Sequence, residues 1–154
     1  MKRQGGFTLI ELVVVIVILG VLAVTAAPRF LNLQSDARKS SLQGLKGAMT
    51  SAASIVYSKS VIEGKETRVS SALASNIEIA YGYPVAYPTG IVRAVQGLDD
   101  KGDWAYGTHD SSLFATFSGS VSGALDIRNT NCYVDYKGAT SVAVPSITVI
   151  DSGC

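Results

Sequence analysis

Between Arg3 and Arg29 the chain carries one charged residue, Glu11, in a stretch otherwise dominated by Leu, Ile, Val and Ala. Leu12 to Val24 alone is 13 residues, too short for a membrane-spanning helix, whereas Phe7 to Pro28 makes 22 if Glu11 is neutralised. At 1.5 Å per residue that helix covers roughly 33 Å, enough for a hydrocarbon core. Beyond it the pattern changes from continuous to periodic. Leu42, Leu45, Met49, Ala52 and Val56 recur at spacings of 3, 4, 3 and 4, with Arg38, Lys39, Lys46 and Lys59 on the other faces. Such a stripe predicts an amphipathic helix with one face to bury. Joined, the two segments predict one helix from Phe7 to about Ile62, about 84 Å long. Gly20 is a weak helix former inside it. Pro28 lacks an N–H and clashes with the preceding turn, at a cost of about 3 kcal/mol, which usually bends or opens a helix.

From Glu63 onward the pattern predicts a long connecting region followed by short strands. Residues 81–90, Tyr-Gly-Tyr-Pro-Val-Ala-Tyr-Pro-Thr-Gly, are dense in turn formers and are expected to be an ordered surface loop. The three tyrosines there invite a ligand-binding reading, but rings that cover helix or sheet while their hydroxyls reach water explain them more simply. Alternation predicts strands at 113–117, 124–128, 132–137 and 146–150, with Leu125 and Ile127 inward and Asp126 and Arg128 outward. Ser118-Gly119-Ser120, Asn129-Thr130-Asn131 and Gly138-Ala139-Thr140 are the turns between them. Close spacing favours an antiparallel sheet packed on the helical stripe. Helix first and sheet after makes an α+β fold.

Charge sharpens the reading at the N-terminus. An ionised residue at the centre of a membrane helix costs roughly 2.5 to 3.5 kcal/mol, so Glu11 needs a partner or a protonated state. The 154 residues are 47% hydrophobic, room for one core. The formal net charge is +1, and loss of Lys2 and Arg3 would leave 1 − 2 = −1, so no bulk charge attracts nucleic acid. The chain has no Walker motif, dinucleotide fingerprint or basic aromatic stripe. His109 is the single histidine, which excludes a Ser-His-acid or multi-histidine metal site within one chain, and it is read as a loop residue. Asp99, Asp100, Asp103 and Asp110 cluster around Trp104, but an EF-hand loop starting at Asp99 would have Lys101 at a ligand position and Trp104 at the sharp-turn glycine. Neither a calcium ion nor any other cofactor is expected, and the chain reads as structural and not enzymatic.

Residues 2 to 30, with the basic Lys2-Arg3-Gln4-Gly5-Gly6 leader ahead of Phe7-Thr8-Leu9-Ile10-Glu11, resemble the class III signal of type IV prepilins. The resemblance implies a type IV pilin fold: a long N-terminal helix with a protruding apolar half, packed on a C-terminal antiparallel sheet. It implies a leader over residues 1–6, a membrane or filament-core helix over 7–30 and a head over 31–154. A dedicated prepilin peptidase would cut after Gly6 and methylate the amine of Phe7. Glu11 would engage the Phe7 amine of a neighbouring subunit. The chemistry agrees, since an α-amino group with a reference pKa of about 7.7 to 8.0 is largely cationic near neutrality. Phe7 and Glu11 are also i and i+4, so the pair could close within one subunit. Gly20 and Pro28 match breakers that bracket a compliant stretch. Cys132 and Cys154, an even count in a chain with an export signal, suggest one disulfide, and they match the family's disulfide-bounded C-terminal region.

Within that superfamily the Gly-Gly-Phe-Thr-Leu-Ile-Glu-Leu start, the Pro28 to Leu33 continuation and the cysteine-bounded end resemble the mannose-sensitive haemagglutinin pilins. That implies a bacterial surface filament used for attachment, with the chain in the inner membrane before assembly and outside the cell after it. The implied partners are other copies of itself, the prepilin peptidase, an inner-membrane platform, motor ATPases and, at the far end, surface glycans. Two other readings use the same residues. A major pseudopilin of a type II secretion system would share the N-terminal half, with a stronger calcium constellation than this one. A soluble secreted binding domain would be cut by ordinary signal peptidase near Ala27; Pro28 directly after that cut and Glu11 at the head of the apolar region stand against it.

Overall fold

The computed structural model describes residues 6–99, 102–119, 121 and 123–154, the side chains of 27–32 excepted. The leader residues 1–5, Asp100, Lys101 and Ser120 therefore lie outside the described residues, as do the side chains of Pro28 to Asn32. Helix α1 spans Leu9–Ile62, with a helical backbone through both Gly20 and Pro28. It contributes to two compact units, Met1–Ala37 and Arg38–Cys154.

In the second unit α1 buries the expected stripe: Leu42, Leu45, Met49 and Val56 are in the core, Ala52 packs at its margin, and Ala53 and Ser60 extend it. Each large aliphatic side chain so buried contributes roughly 1.5 to 3 kcal/mol. Away from that face, hydroxyls bond back along the helix: Thr50 Oγ1 donates to Lys46 O at 2.8 Å, Ser54 Oγ to Thr50 O at 3.1 Å and Ser58 Oγ to Ser54 O at 3.0 Å.

Two antiparallel sheets follow. The smaller joins β1 (Ser71–Ala72), β2 (Glu78–Ala80) and β3 (Tyr83–Pro84) in that order. The larger is a meander of β4 (Trp104–His109), β5 (Ser112–Phe117), β6 (Tyr133–Lys137) and β7 (Ser146–Ile150). A π-helical turn, Pro88–Val92, lies between the sheets in sequence and buries Ile91 and Val92. The 81–90 segment is thus ordered, as expected, but half of it is strand and helical turn. Tyr136 OH donates to Pro84 O at 2.8 Å and joins β6 of the large sheet to β3 of the small one. The main core gathers Leu42, Leu45 and Met49 of α1 with Leu113, Ala115, Val134 and Tyr136 of the large sheet. The architecture is α+β, with a long apolar N-terminal helix followed by antiparallel sheet.

Three of the four expected strands are present. The fourth, 124–128, is a helix, α2 (Ala124–Asn129). Five residues of alternation also fit one helical turn, and Ile127 N donating to Gly123 O at 3.0 Å closes that turn. In a helix Leu125 and Ile127 diverge by about 200°, so Ile127 is buried and Leu125 is 59% exposed. Gly107 makes the packing of α2 possible, because a Cβ there would sit 2.8 Å from Ala124 Cα. A second correction concerns His109, which ends β4 and is not in a loop. Asp110 and Ser111, with φ of 48° and 61°, form the two-residue turn between β4 and β5, where His109 pairs with Ser112. Positive φ at both turn residues matches the right-handed twist of the strands.

Candidate functional site at the head of the N-terminal helix

Leu9–Ala26 is an 18-residue window of mean hydropathy 2.9 with no part of it buried. Among the described residues this is the one helix long and apolar enough to cross a membrane, by length and composition. Glu11 lies three positions into it. Its carboxylate accepts the Thr8 backbone N–H at 2.8 Å and the Thr8 hydroxyl at 2.7 Å, while Glu11 N donates to Thr8 Oγ1 at 3.3 Å. This reciprocal arrangement is a capping box: Thr8 is the N-cap, and the two side chains satisfy donors that the first turn leaves without intrahelical partners. Reading the sequence for charge alone missed it. The signal was present in the Thr-x-x-Glu spacing of residues 8–11 ahead of an apolar run.

Around the carboxylate the surface is greasy. Phe7, Ile10, Val14 and Val15 line a shallow concavity with Glu11, and Phe7 is 82% exposed. Gly6 precedes it without contact: a Cβ there would meet nothing within 4 Å. Gly6, Phe7, Thr8 and Glu11 are therefore brought together at one accessible helix end. Gly20 lies farther along α1, where an added Cβ would also meet nothing within 4 Å, so packing inside the subunit does not require glycine there.

Cys132 and Cys154 are joined by a disulfide at a sequence separation of 22. Cys132 belongs to the main core, and the bridge encloses β6 and β7. Of the acidic cluster, Asp99, Asp103 and Asp110 are exposed and Asp110 pairs with His109 Nδ1 at 2.8 Å. Among the described residues no group of three or more His, Cys, Asp or Glu side chains is placed to hold a metal ion.

Residues 1–27 match the family model described as the prokaryotic N-terminal methylation motif. The Type IV narrow pilus major component PilA5 of Thermus thermophilus is 45% identical over 53 residues, 34% of this chain and 46% of that protein. A fimbrial protein of Pseudomonas aeruginosa is 38% identical over 87 residues, 54% of this chain and 51% of that protein. The chain spans about half the length of the curated relatives it matches. No solved structure matches it. Over its N-terminal part the chain is thus similar to type IV pilus and fimbrial proteins. The relatives are pilus and fimbrial proteins by name.

Proposed function

We propose that the chain is a major structural subunit of a type IV pilus of the mannose-sensitive haemagglutinin kind, polymerising into a surface filament for adhesion. The observation that carries this is the methylation motif over an accessible Gly6-Phe7 junction, one helical turn before Glu11, on a helix apolar on all sides. Cleavage after Gly6 removes the leader 1–6 and frees the Phe7 amine, which the same peptidase methylates. The mature chain rests in the inner membrane through residues 7–30 and exposes a head of 31–154. Platform proteins and motor ATPases then draw it into the filament.

Glu11 acts in the last step. In the uncut chain its charge is held by Thr8. The new cationic terminus of a neighbouring copy supplies a full counter-charge in a medium of low dielectric, where either charge alone is strongly disfavoured. Helices so paired stagger by a fixed step, a repeated heterologous contact that does not close. Gly20 and Pro28 give the bundled helices local compliance. Heads on the outside present the disulfide-bounded region to surface glycans.

Two measurements test the reading. Intact-mass analysis of the mature protein is expected to find a chain beginning at methylated Phe7; a terminus at Pro28 selects a soluble secreted domain instead. Glu11→Ala is expected to leave export, cleavage and head folding intact while filament yield falls. Unchanged assembly would remove the charge pairing.

A further inference from the structure

Arg38, the first residue of the second unit, rests on two stacked rings. Its Cζ lies 5.6 Å from the centre of the Phe117 ring, and Phe117 stacks in turn on Trp104 with ring centroids 5.0 Å apart. The side chain is exposed, and among the described residues no carboxylate pairs with it. Asp103, next to Trp104 in the ladder, bonds the Ser118 N–H through its backbone oxygen and makes no ion pair with Arg38. Arg38 also lines a cleft of about 190 Å³ with Phe117, Ser118 and Thr130, and no acidic residue borders it. Two hydroxyl protons on that wall are committed elsewhere, Thr116 Oγ1 donating to Cys132 O at 2.6 Å and Thr130 Oγ1 to Ile127 O at 2.7 Å. The charge of the cleft is therefore that of Arg38. A guanidinium steadied on a ring face keeps its planar edge of N–H donors for a carboxylate.

The opposite end of the same hairpin carries an acid. Trp104 pairs with Phe117 at one end of β4 and β5, and His109 pairs with Ser112 at the other. Asp110 caps that second end in the two-residue turn, with its side chain 85% exposed. His109 Nδ1 lies 2.8 Å from Asp110 Oδ2, which leaves Oδ1 without a partner among the described residues. Five steps along β5 separate Ser112 from Phe117, about 17 Å at the rise of an antiparallel strand. One head thus holds an acid at its tip and an unpaired arginine in a cleft at the far end of the hairpin.

We propose that the Arg38 cleft receives Asp110 of a second copy of this chain, head to tail. A copy shifted along the hairpin brings its own turn to the cleft, where the acid meets the guanidinium edge. Each copy then offers its cleft to one neighbour and its tip to another, a heterologous contact that repeats without closing. The inference rests on the filament reading above and names the surfaces by which the heads meet. A single exposed ion pair stabilises little. Repeated once per subunit it fixes register, and it excludes neighbours that would bring like charges together.

The test is a charge exchange in the full chain, read as the share of the chain recovered in filaments sheared from cells. Arg38→Glu and Asp110→Arg are each expected to lower that share about fivefold or more, because each sets two like charges against one another. The double variant restores an opposite pair and is expected to return to within about twofold of the parent. Asp110→Asn, which suits a positive φ as well as Asp does, is expected to lower the share by less than Asp110→Arg; melting curves in detergent show each variant folded. Filaments indifferent to both reversals overturn the pairing and leave the filament reading standing, as does a double variant no better than the single ones. Loss in Arg38→Glu with parental assembly in Asp110→Arg gives the cleft to some other anion and also overturns it. A parent chain that forms no filaments removes the filament reading and this contact with it.

Discussion

The two halves of α1 use similar side chains and meet opposite surroundings. In Leu9–Ala26 the apolar residues are open on every side, with Leu9 79%, Ile16 55% and Val24 76% exposed. Within 38–62 the large residues of one stripe are closed off, Leu42 and Met49 entirely, while Ile55 and Ile62 on other faces remain out. A single packed surface satisfies a stripe. It cannot satisfy a cylinder that is apolar all round, which needs a medium on all sides, lipid or a bundle of other helices. The first half is therefore selected for what surrounds the subunit, and the second for what lies within it.

Substitutions that shorten one side chain in each half probe that difference most strongly. Met49→Ala is expected to destabilise the second unit by about 2 to 5 kcal/mol through the cavity it leaves, and Ile16→Ala to leave the same denaturation curve unmoved. Equal losses would erase the contrast. Opening the disulfide with Cys154→Ser is expected to cost about 3 kcal/mol, since the bridged loop is somewhat longer than 15 residues, and calorimetry under reducing and non-reducing conditions checks it. Tyr136→Phe leaves the Pro84 carbonyl without its donor and is expected to cost about 1 to 3 kcal/mol. Burial, then the neighbouring Tyr83, pushes the Tyr136 phenol above its usual value. Its contribution is therefore complete below the ordinary tyrosine pKa of about 10 and is lost as pH rises beyond it, which alkaline melts of parent and Tyr136→Phe will compare.

The smallest effect lies where α1 ends. Glu63 is held below the ordinary carboxylate range by its bond from Lys65 Nζ at 2.8 Å, with a further contribution from the Ala74 N–H. The stability it lends is present above the unfolded carboxylate pKa and fades as pH falls through the lowered folded value. Hydrogen exchange at the Ala74 amide is expected to quicken over that acid range while amides in β5 hold their protection. Uniform loss at both sites would mean that no local clip exists.

Long periodic signals were readable, and short ones were not. The 3, 4, 3, 4 spacing of Leu42 to Val56 identified a buried face correctly, and the helix ends at Ile62 as its pattern predicts. Over 124–128 the alternation was too brief to separate strand from helix, and what decides it is Gly107, distant in sequence, which gives α2 room to approach β4. β4 itself was hidden because Asp99, Asp103 and Asp110 drew attention to charge while Trp104 and Tyr106 pack at the core margin. At the candidate site Glu11 stands out as an isolated charge, whereas Thr8, which donates to it within the uncut chain, is uncharged and gives no such signal. The placement of Tyr83 depends on a contact with Tyr57, which no local pattern encodes.

The row of hydroxyls at Thr50, Ser54 and Ser58 has a bearing on crowding. Each donor already points at a carbonyl one turn back in its own helix. Any surface that comes to rest along this flank strips away little tightly held water, because these side chains do not depend on solvent for their bonds. The flank is thus wettable when alone and undemanding when covered, suited to lying beside either water or protein without a change of conformation.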